Sequence, residues 1–437
     1  MMREAGYHER ATALWQALLE YHLFRPKELS HAKRGERLAA FEEFWESEVP
    51  RIGEPAWQGW STFYEKGGDP LEPVVILLDT YVDPDDCFGD FVGKEEACML
   101  ALQTPGRIGD EAGEDDPYHT ILFSDLKDYL AWSPATLSPL MLIQAFLKFS
   151  NFPPLPDRGQ STVQSWWLDP FLRNDRLEAH AEHVPMPYFQ STTDSLFSNP
   201  MTTDMSPRWL RQVLKGLAYT VEDDVVAEYY LAFEYHHFRS GAAKAAKALL
   251  KKRPNSLRLY NSYALIEARA GNTSVADRVF STAISMSKTL QENARRDIVL
   301  LWHTWVWEAL RSGDVSAATQ RMFSIAGTSP TASATDSVHE AGVVPVSAAT
   351  LLKIKTTLSE GCDGYLSNPH HHHLGVLYAD LLALLAYLTH SNQGHTGEWH
   401  TIAFFPRLTA FRTPYAPFIR RRCWKETLWI ACIPTHY

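Results

Sequence analysis

The sequence predicts an all-α protein, a helical solenoid of helix–turn–helix repeats with long irregular loops. Three observations carry this. Apolar residues recur at i, i+3, i+4, i+7 and i+8 in Ala11, Leu14, Trp15, Leu18 and Leu19, and again from Ile298 through Leu301, Trp302, Trp305, Val306 and Ala309. That is the spacing of one buried helical face. Extended stretches are confined to Val74–Leu78 and Ile121–Phe123, each too short to argue for a sheet. The aromatic anchors Tyr230, Tyr263 and Trp305 stand 33 and 42 residues apart. This brackets the ~34-residue period of stacked helix pairs, each of which buries its apolar face only against its neighbours.

Residues 1–66 form a helical segment, whose first stripe ends before Pro26, a residue that cannot continue a helix. Residues 67–120 read as an irregular loop that closes in an acidic patch of Asp110, Glu111, Glu114, Asp115 and Asp116. Residues 121–152 are helical again, and the Pro/Ser/Thr-rich stretch 153–207 suits a long surface connection. Residues 208–327 hold three helix pairs. Ala227–Leu250 turns at Gly241, Leu259–Ile284 at Gly271-Asn272, and Asp297–Ala326 at Gly313, with Asp314 as N-cap. A Ser/Thr-rich linker at 328–347 leads to helices at 348–390, and 391–437 shows too little periodicity to place. The strongest apolar run, Leu374–Leu388, is 15 residues long and interrupted by Asp380. A bilayer span needs ~20 apolar residues, so this run is expected to be a buried helix.

The 437 residues leave room for two or three domains. With 45% hydrophobic and 21% charged residues, the composition excludes a disordered tail or a fibrous repeat. A net charge of −11 supplies no chain-wide basic face for phosphate backbones. The five cysteines, Cys87, Cys98, Cys362, Cys423 and Cys432, never form a CxxC pair. That argues against a disulfide scaffold or zinc knuckle and fits a reducing compartment. Met1–Glu9 is charged and lacks the apolar core of a secretory signal, so an intracellular protein is expected. The 14 Trp, 18 Tyr and 21 Phe imply large rings packed between elements.

The second repeat carries more than a period. Tyr260, Tyr263, Ala264, Ile266 and Glu267, a turn at Gly271, then Ala276, Val279, Phe280, Ala283 and Ile284 resemble a HAT (half-a-TPR) motif, in which aromatics of one helix wedge against small residues of the next. The usual Arg is displaced to Arg278. The first repeat keeps Tyr230, Phe233 and Glu234, whereas the third keeps Trp302 and Trp305 with Ala309 in place of Glu. The expected fold is therefore a TPR-like, HAT-repeat helical solenoid. Further motifs lie nearer the N-terminus. Ala5-Gly6-Tyr7, Arg10-Ala11 and Leu14–Glu20 are followed by Phe41–Ser47, Pro50–Glu54 and Gly59-Trp60, then by Asp115–Tyr118, Leu122–Leu126 and Tyr129-Leu130. In this order they resemble the body of the NRDE-2 family over roughly residues 5–150.

That resemblance implies a non-enzymatic nuclear adaptor without cofactors, working in small-RNA-mediated gene silencing, heterochromatin, splicing of nascent transcripts and control of the nuclear RNA exosome. The implied partners are the exosome's DExH-box helicase and spliceosomal proteins. Family members are generally longer and bind the helicase through a segment N-terminal to the matched region, so the chain reads as a truncated, fungal-type member. The alternatives are a directly RNA-binding HAT solenoid and a HAT scaffold of another mRNA-processing complex.

Motifs for nucleophilic, phosphate or zinc chemistry (GxSxG, GxxxxGK[ST], GxGxxG, HExxH) are missing. Counted as a calcium loop from Asp83, position 5 is Cys87, position 6 Phe88 and position 12 Lys94, where calcium needs oxygens and a glycine. A solvated acidic loop is the better reading. The run His370–His373 reads as a surface tract, since adjacent imidazoles point apart, and His236-His237 as helix surface. Trp45, Trp57, Trp60, Trp166, Trp167, Trp302, Trp305 and Trp307 are read as core rather than as RNA-stacking rings. Glu20, Glu234 and Glu267 are read as inter-helix partners rather than general acids. Arg420-Arg421-Arg422 is a weak import signal. Candidate partner-binding residues are Asp110, Glu111, Glu114, Asp115, Asp116 and Asp125, which suit a basic partner. Candidate RNA-contacting residues are Lys244, Lys247, Lys251, Lys252 and Arg253, of which Lys244, Lys247 and Lys251 share one helix face.

Overall fold

The computed structural model describes residues 2–3, 5–68, 88–89, 91–92, 104–106, 119–134, 137–155, 193–198, 201, 203, 205–326, 347–368 and 371–390. Among them every regular element is helical, and the one bridge is the isolated parallel pair Gly106–Thr120. The fold is all-α. No helix among the described residues is long and apolar enough to cross a membrane. The chain divides into two compact units, one comprising Met1–Pro156 and Ser161–Ala245, the other Asp157–Gln160 and Ala246–Tyr437.

In the first unit, α1 (His8–Leu23) is buried on more sides than its apolar stripe predicts. Leu14, Trp15 and Leu18 are only half-buried, whereas Ala13, Gln16, Ala17 and Glu20 are wholly buried. Two polar side chains can lie this deep because both are hydrogen-bonded. α2 (Arg34–Glu46) sets Phe41 edge-on against Tyr21 of α1, with Phe44 and Trp45 beside Phe41, and α3 (Trp60–Glu65) adds Trp60, whose ring stacks on Tyr21 and meets Phe41 edge-on. α4 (Phe123–Trp132) closes this core with Phe123, Leu126 and Leu130. The Ile121–Phe123 stretch is not a strand. Phe123 opens α4, and the Ile121 carbonyl accepts the buried Trp45 indole N–H at 2.9 Å. α5 (Pro139–Phe149) starts on a proline, which lacks the N–H that a first helical residue leaves unpaired. Its Phe146 and Phe149 receive Trp15.

After the short α6 (Thr193–Ser198) come α7 (Pro207–Thr220), capped by the Ser206 hydroxyl, and α8 (Asp224–His237), capped by the Asp223 carboxylate. α9 (Arg239–Lys252) follows with its break at Phe238 rather than at the predicted Gly241. Gly241 lies inside α9, where a Cβ would come within 3.2 Å of Arg211 Nη2. Its small size makes room for an ion pair and does not make a turn.

In the second unit the helix pairs follow the pattern read from the sequence. α10 (Leu257–Arg269) and α11 (Thr273–Ser287) turn at Gly271, with φ +88°. After the single turn α12 (Glu292–Arg295), α13 (Ile298–Arg311) and α14 (Val315–Ser324) turn at Gly313, and Asp314 accepts the Ala317 N–H as N-cap. α15 (Ala348–Leu366) and α16 (His372–His390) complete the core, in which Trp302, Trp305, Met322, Ile354, Leu377 and Leu381 are buried. The 15-residue apolar run is thus part of a buried helix, and its interrupting Asp380 accepts His303 Nε2 at 2.7 Å and Trp307 Nε1 at 2.9 Å.

Gly53 occupies the left-handed region at φ +90°, and a Cβ there would lie 2.4 Å from Trp209 Nε1. Gly53→Ala therefore combines backbone strain with a clash against a buried ring, and a loss of about 2–5 kcal/mol is expected. Gly271→Ala meets no atom within 4 Å and should lose only about 1–2 kcal/mol. Urea titration of both variants checks the ordering.

Candidate docking surfaces and their buried supports

Glu20 sits on α1 without any exposure to solvent. Its carboxylate accepts the Ile52 N–H at 3.0 Å, the Trp60 N–H at 3.1 Å and the Trp57 indole N–H. One turn earlier Gln16 Nε2 donates to the Ile52 carbonyl at 3.0 Å and to Glu54 Oε1 at 2.9 Å, and Glu54 Oε2 accepts the Arg51 N–H at 3.0 Å. The Arg51 guanidinium lies 3.7 Å from the centre of the Trp45 ring. Three motifs separated in sequence, Leu14–Glu20, Pro50–Glu54 and Gly59-Trp60, thus converge on one buried polar cluster. Burial lifts the Glu20 carboxyl to about 7 against the pull of its three donors, and nearby Glu54 adds to the lift.

The same device recurs. Glu234 is fully buried on α8 and takes a two-pronged ion pair from Arg211 of α7, at 2.6 and 2.9 Å, together with the Tyr230 hydroxyl at 2.7 Å. The hydrogen bond to Glu234 raises Arg211 further, and burial keeps the Tyr230 phenol protonated well above its usual range. Glu267 on α10 accepts Asn272 Nδ2 at 2.7 Å and stands 3.9 Å from the Lys247 ammonium, which lies 5.5 Å from the Tyr263 ring centre. On α11 Asp277 accepts Trp305 Nε1 of α13 at 2.6 Å and Arg321 Nη2 of α14 at 2.7 Å. Each of these carboxylates holds N–H or O–H donors of its own chain; Glu234, Glu267 and Asp277 bridge helices, whereas Glu20 mainly holds the loop between α2 and α3. Among the described residues no group of three or more His, Cys, Asp or Glu is arranged to hold a metal ion.

The acidic patch Asp110, Glu111, Glu114, Asp115 and Asp116 lies outside the described residues, as do Trp166, Trp167 and nearly all of the Asp83–Glu96 loop. Asp125 lies in the first turn of α4, where it accepts the Leu122 N–H at 3.1 Å and stands 4.0 Å from Arg10 Nη2. Lys244, Lys251 and Lys252 are exposed and Arg253 is half-buried, while Lys247 is shared with Glu267. Trp45, Trp60, Trp302 and Trp305 are buried, and Trp57 and Trp307 are half-buried. His236 and His237 are not helix surface. Both are half-buried, and their Nε2 atoms pair with the carbonyls of Leu196 at 3.0 Å and Met201 at 2.7 Å. Sequence spacing carries no signal for partners 36 and 40 residues away.

The described residues define an all-α protein of paired helices whose elements are tied together by buried charges. Residues 1–155 match the family model described as NRDE-2, necessary for RNA interference. "Protein NRDE2 homolog" of Schizosaccharomyces pombe is 20% identical over 328 residues, 64% of this chain and 32% of that protein. "Nuclear exosome regulator NRDE2" of Mus musculus is 24% identical over 363 residues, 69% of this chain and 30% of the relative. Its counterpart of the same name in Homo sapiens is 23% identical over 366 residues, again 69% and 30%. Residues 1–155 are thus similar to the NRDE-2 family, and the similarity to individual NRDE2 proteins extends over about two thirds of the chain. The chain spans about a third of the length of the curated relatives it matches. No solved structure matches it.

Two measurements probe the buried charges. Glu20, raised from 4.5 to about 7, keeps a proton that the unfolded chain loses between those values, so its contribution to stability falls by up to about 3 kcal/mol as pH rises through that window. His22 on the same helix is lowered from 6.5 to about 4 by burial, then by Arg25 and Arg37, so its contribution falls as pH drops from 6.5 to 4. The two slopes oppose one another between pH 4.5 and 6.5. In Glu20→Gln the His22 slope should stand alone, and the stability gap to the parent protein should narrow from pH 4.5 to 7 in urea titrations. Separately, Arg211→Met strands the fully buried Glu234 and should cost about 3–5 kcal/mol, and Glu234→Gln added to it should recover part of the loss in a double-mutant cycle.

Proposed function

We propose that the chain is a non-enzymatic nuclear scaffold of RNA surveillance and small-RNA-mediated silencing. In this reading its helix pairs stack as a solenoid and present an extended surface to exosome-helicase and spliceosomal partners. The observation that supports the reading is the convergence of Gln16, Glu20, Ile52, Glu54 and Trp60 in one polar cluster on α1. The residues through which the chain resembles the family hydrogen-bond one another, and this supports a structural part for them. The nuclear setting comes from the names of the mouse and human relatives. Asp110, Glu111, Glu114, Asp115 and Asp116, adjoining the Leu122–Leu130 segment, are the proposed contact for a basic partner.

A second reading, direct RNA binding along Lys244, Lys251 and Lys252, is favoured by the exposure of all three. A tagged pull-down from nuclear extract, with and without nuclease, separates the two. Nuclease-resistant recovery of exosome or splicing proteins, weakened when the five acidic residues become Asn or Gln, is the expected outcome. Recovery that vanishes with nuclease, together with steeply salt-dependent binding of the purified chain to single-stranded RNA, would replace the scaffold reading with the RNA-binding one.

A further inference from the structure

Exposed aromatic rings gather on α4. Trp132 is 88% exposed and Tyr129 42%, on the side of the helix away from buried Phe123, Leu126 and Leu130. Asp125 and Asp128 share that outward side, because positions 125, 128, 129 and 132 are spaced i, i+3, i+4, i+7. Asp125 is partly engaged by the Leu122 N–H and by Arg10. Asp128 is exposed and has no partner among the described residues.

Elsewhere the molecule combines an aromatic ring and a carboxylate with a third member. Arg321 lies 5.5 Å from the Trp305 ring centre and donates to Asp277 at 2.7 Å. Arg211 lies 4.3 Å from the Phe238 ring centre and donates to Glu234. In both, an arginine covers the ring face and reaches a carboxylate. Trp132 and Asp128, one helical turn apart, are two members of the same trio, turned to solvent. A planar guanidinium stacks on an indole and forks onto a carboxylate, which an ammonium cannot do equally well. Two carboxylates on this side also repel a phosphate backbone, so RNA suits it poorly.

We propose that the outward face of α4, formed by Asp125, Asp128, Tyr129 and Trp132, docks an arginine-rich peptide segment of a protein partner. It deepens the scaffold reading by naming the partner's chemistry, and binding is read on the purified full chain, apart from any recovery from extract. Fluorescence anisotropy would follow a labelled arginine–glycine repeat peptide, its lysine–glycine counterpart and oligouridylate at physiological salt. The arginine peptide should bind, and the lysine peptide more weakly. Trp132→Ala, at a site too exposed to disturb the core, should weaken the arginine peptide about two- to fivefold, and Asp128→Asn by a similar factor. Unchanged melting curves would confirm that both variants fold. Equal binding by Trp132→Ala and the parent chain would reduce the effect to net charge and overturn the proposal. No binding of the arginine peptide, or binding of oligouridylate that depends on Trp132, would overturn it as well, while leaving the extract experiment to decide the scaffold reading.

Discussion

The Glu20 carboxylate sets the path of the chain around it. A charge-capable group with no access to water needs donors, and the three it finds lie 32, 37 and 40 residues further on. Meeting them bends the segment around residues 50–60 back across α1, and the rest of the first unit's packing follows from that course. Trp60 is delivered into the stack with Tyr21 and Phe41. Trp57 is held against Phe24 and against Gly216 of α7, where a Cβ would meet its ring at 2.7 Å. Gly53 is pressed onto Trp209 of the same helix. One buried acid on the first helix thereby prepares the surface on which a helix some two hundred residues later is seated.

Apolar burial supplies most of the drive to fold but little direction, since Leu packs against Leu in many registers. In this chain direction comes from buried polar contacts of fixed geometry. The two-pronged Arg211–Glu234 pair fixes α7 against α8, and the Trp305–Asp277–Arg321 arrangement fixes α13 against α11 and α14. The Trp307–Asp380–His303 contact ties α13 to α16. An Asp in an otherwise apolar run of Leu and Ala thus selects the register of the helix that carries it.

Much of the all-α fold was legible because its signals are local. The Gly271 and Gly313 turns, the Asp314 cap and the helix in Leu374–Leu388 each depend on a few consecutive residues. Glu234 and Glu267 were legible as inter-helix partners because a carboxylate on an apolar face has to be paired, whereas Glu20 is paired chiefly with the loop that carries Ile52 and Trp57. Gly241 was misread because a glycine that makes space has the same letter as one that makes a turn. The pairing of His236 and His237 with distant carbonyls was not legible, as it depends on where a remote segment comes to rest. The exposure of Trp132 was not legible for a related reason. A tryptophan's letter does not say on which side of its helix the core lies, and here it faces away.

Gly241, Arg211 and Glu234 also bear on how such a chain can change over time. The guanidinium, the carboxylate and the missing side chain occupy one small volume, although 30 positions separate the first from the last. A larger residue at 241 crowds the guanidinium, which must then shift, and loss of the arginine leaves the buried glutamate without its ion pair. Substitutions at these positions are therefore coupled, and the cost of each depends on which of the others has already changed. A pair of helices joined this way can drift far in sequence on its outer surface while its inner contacts change together or not at all.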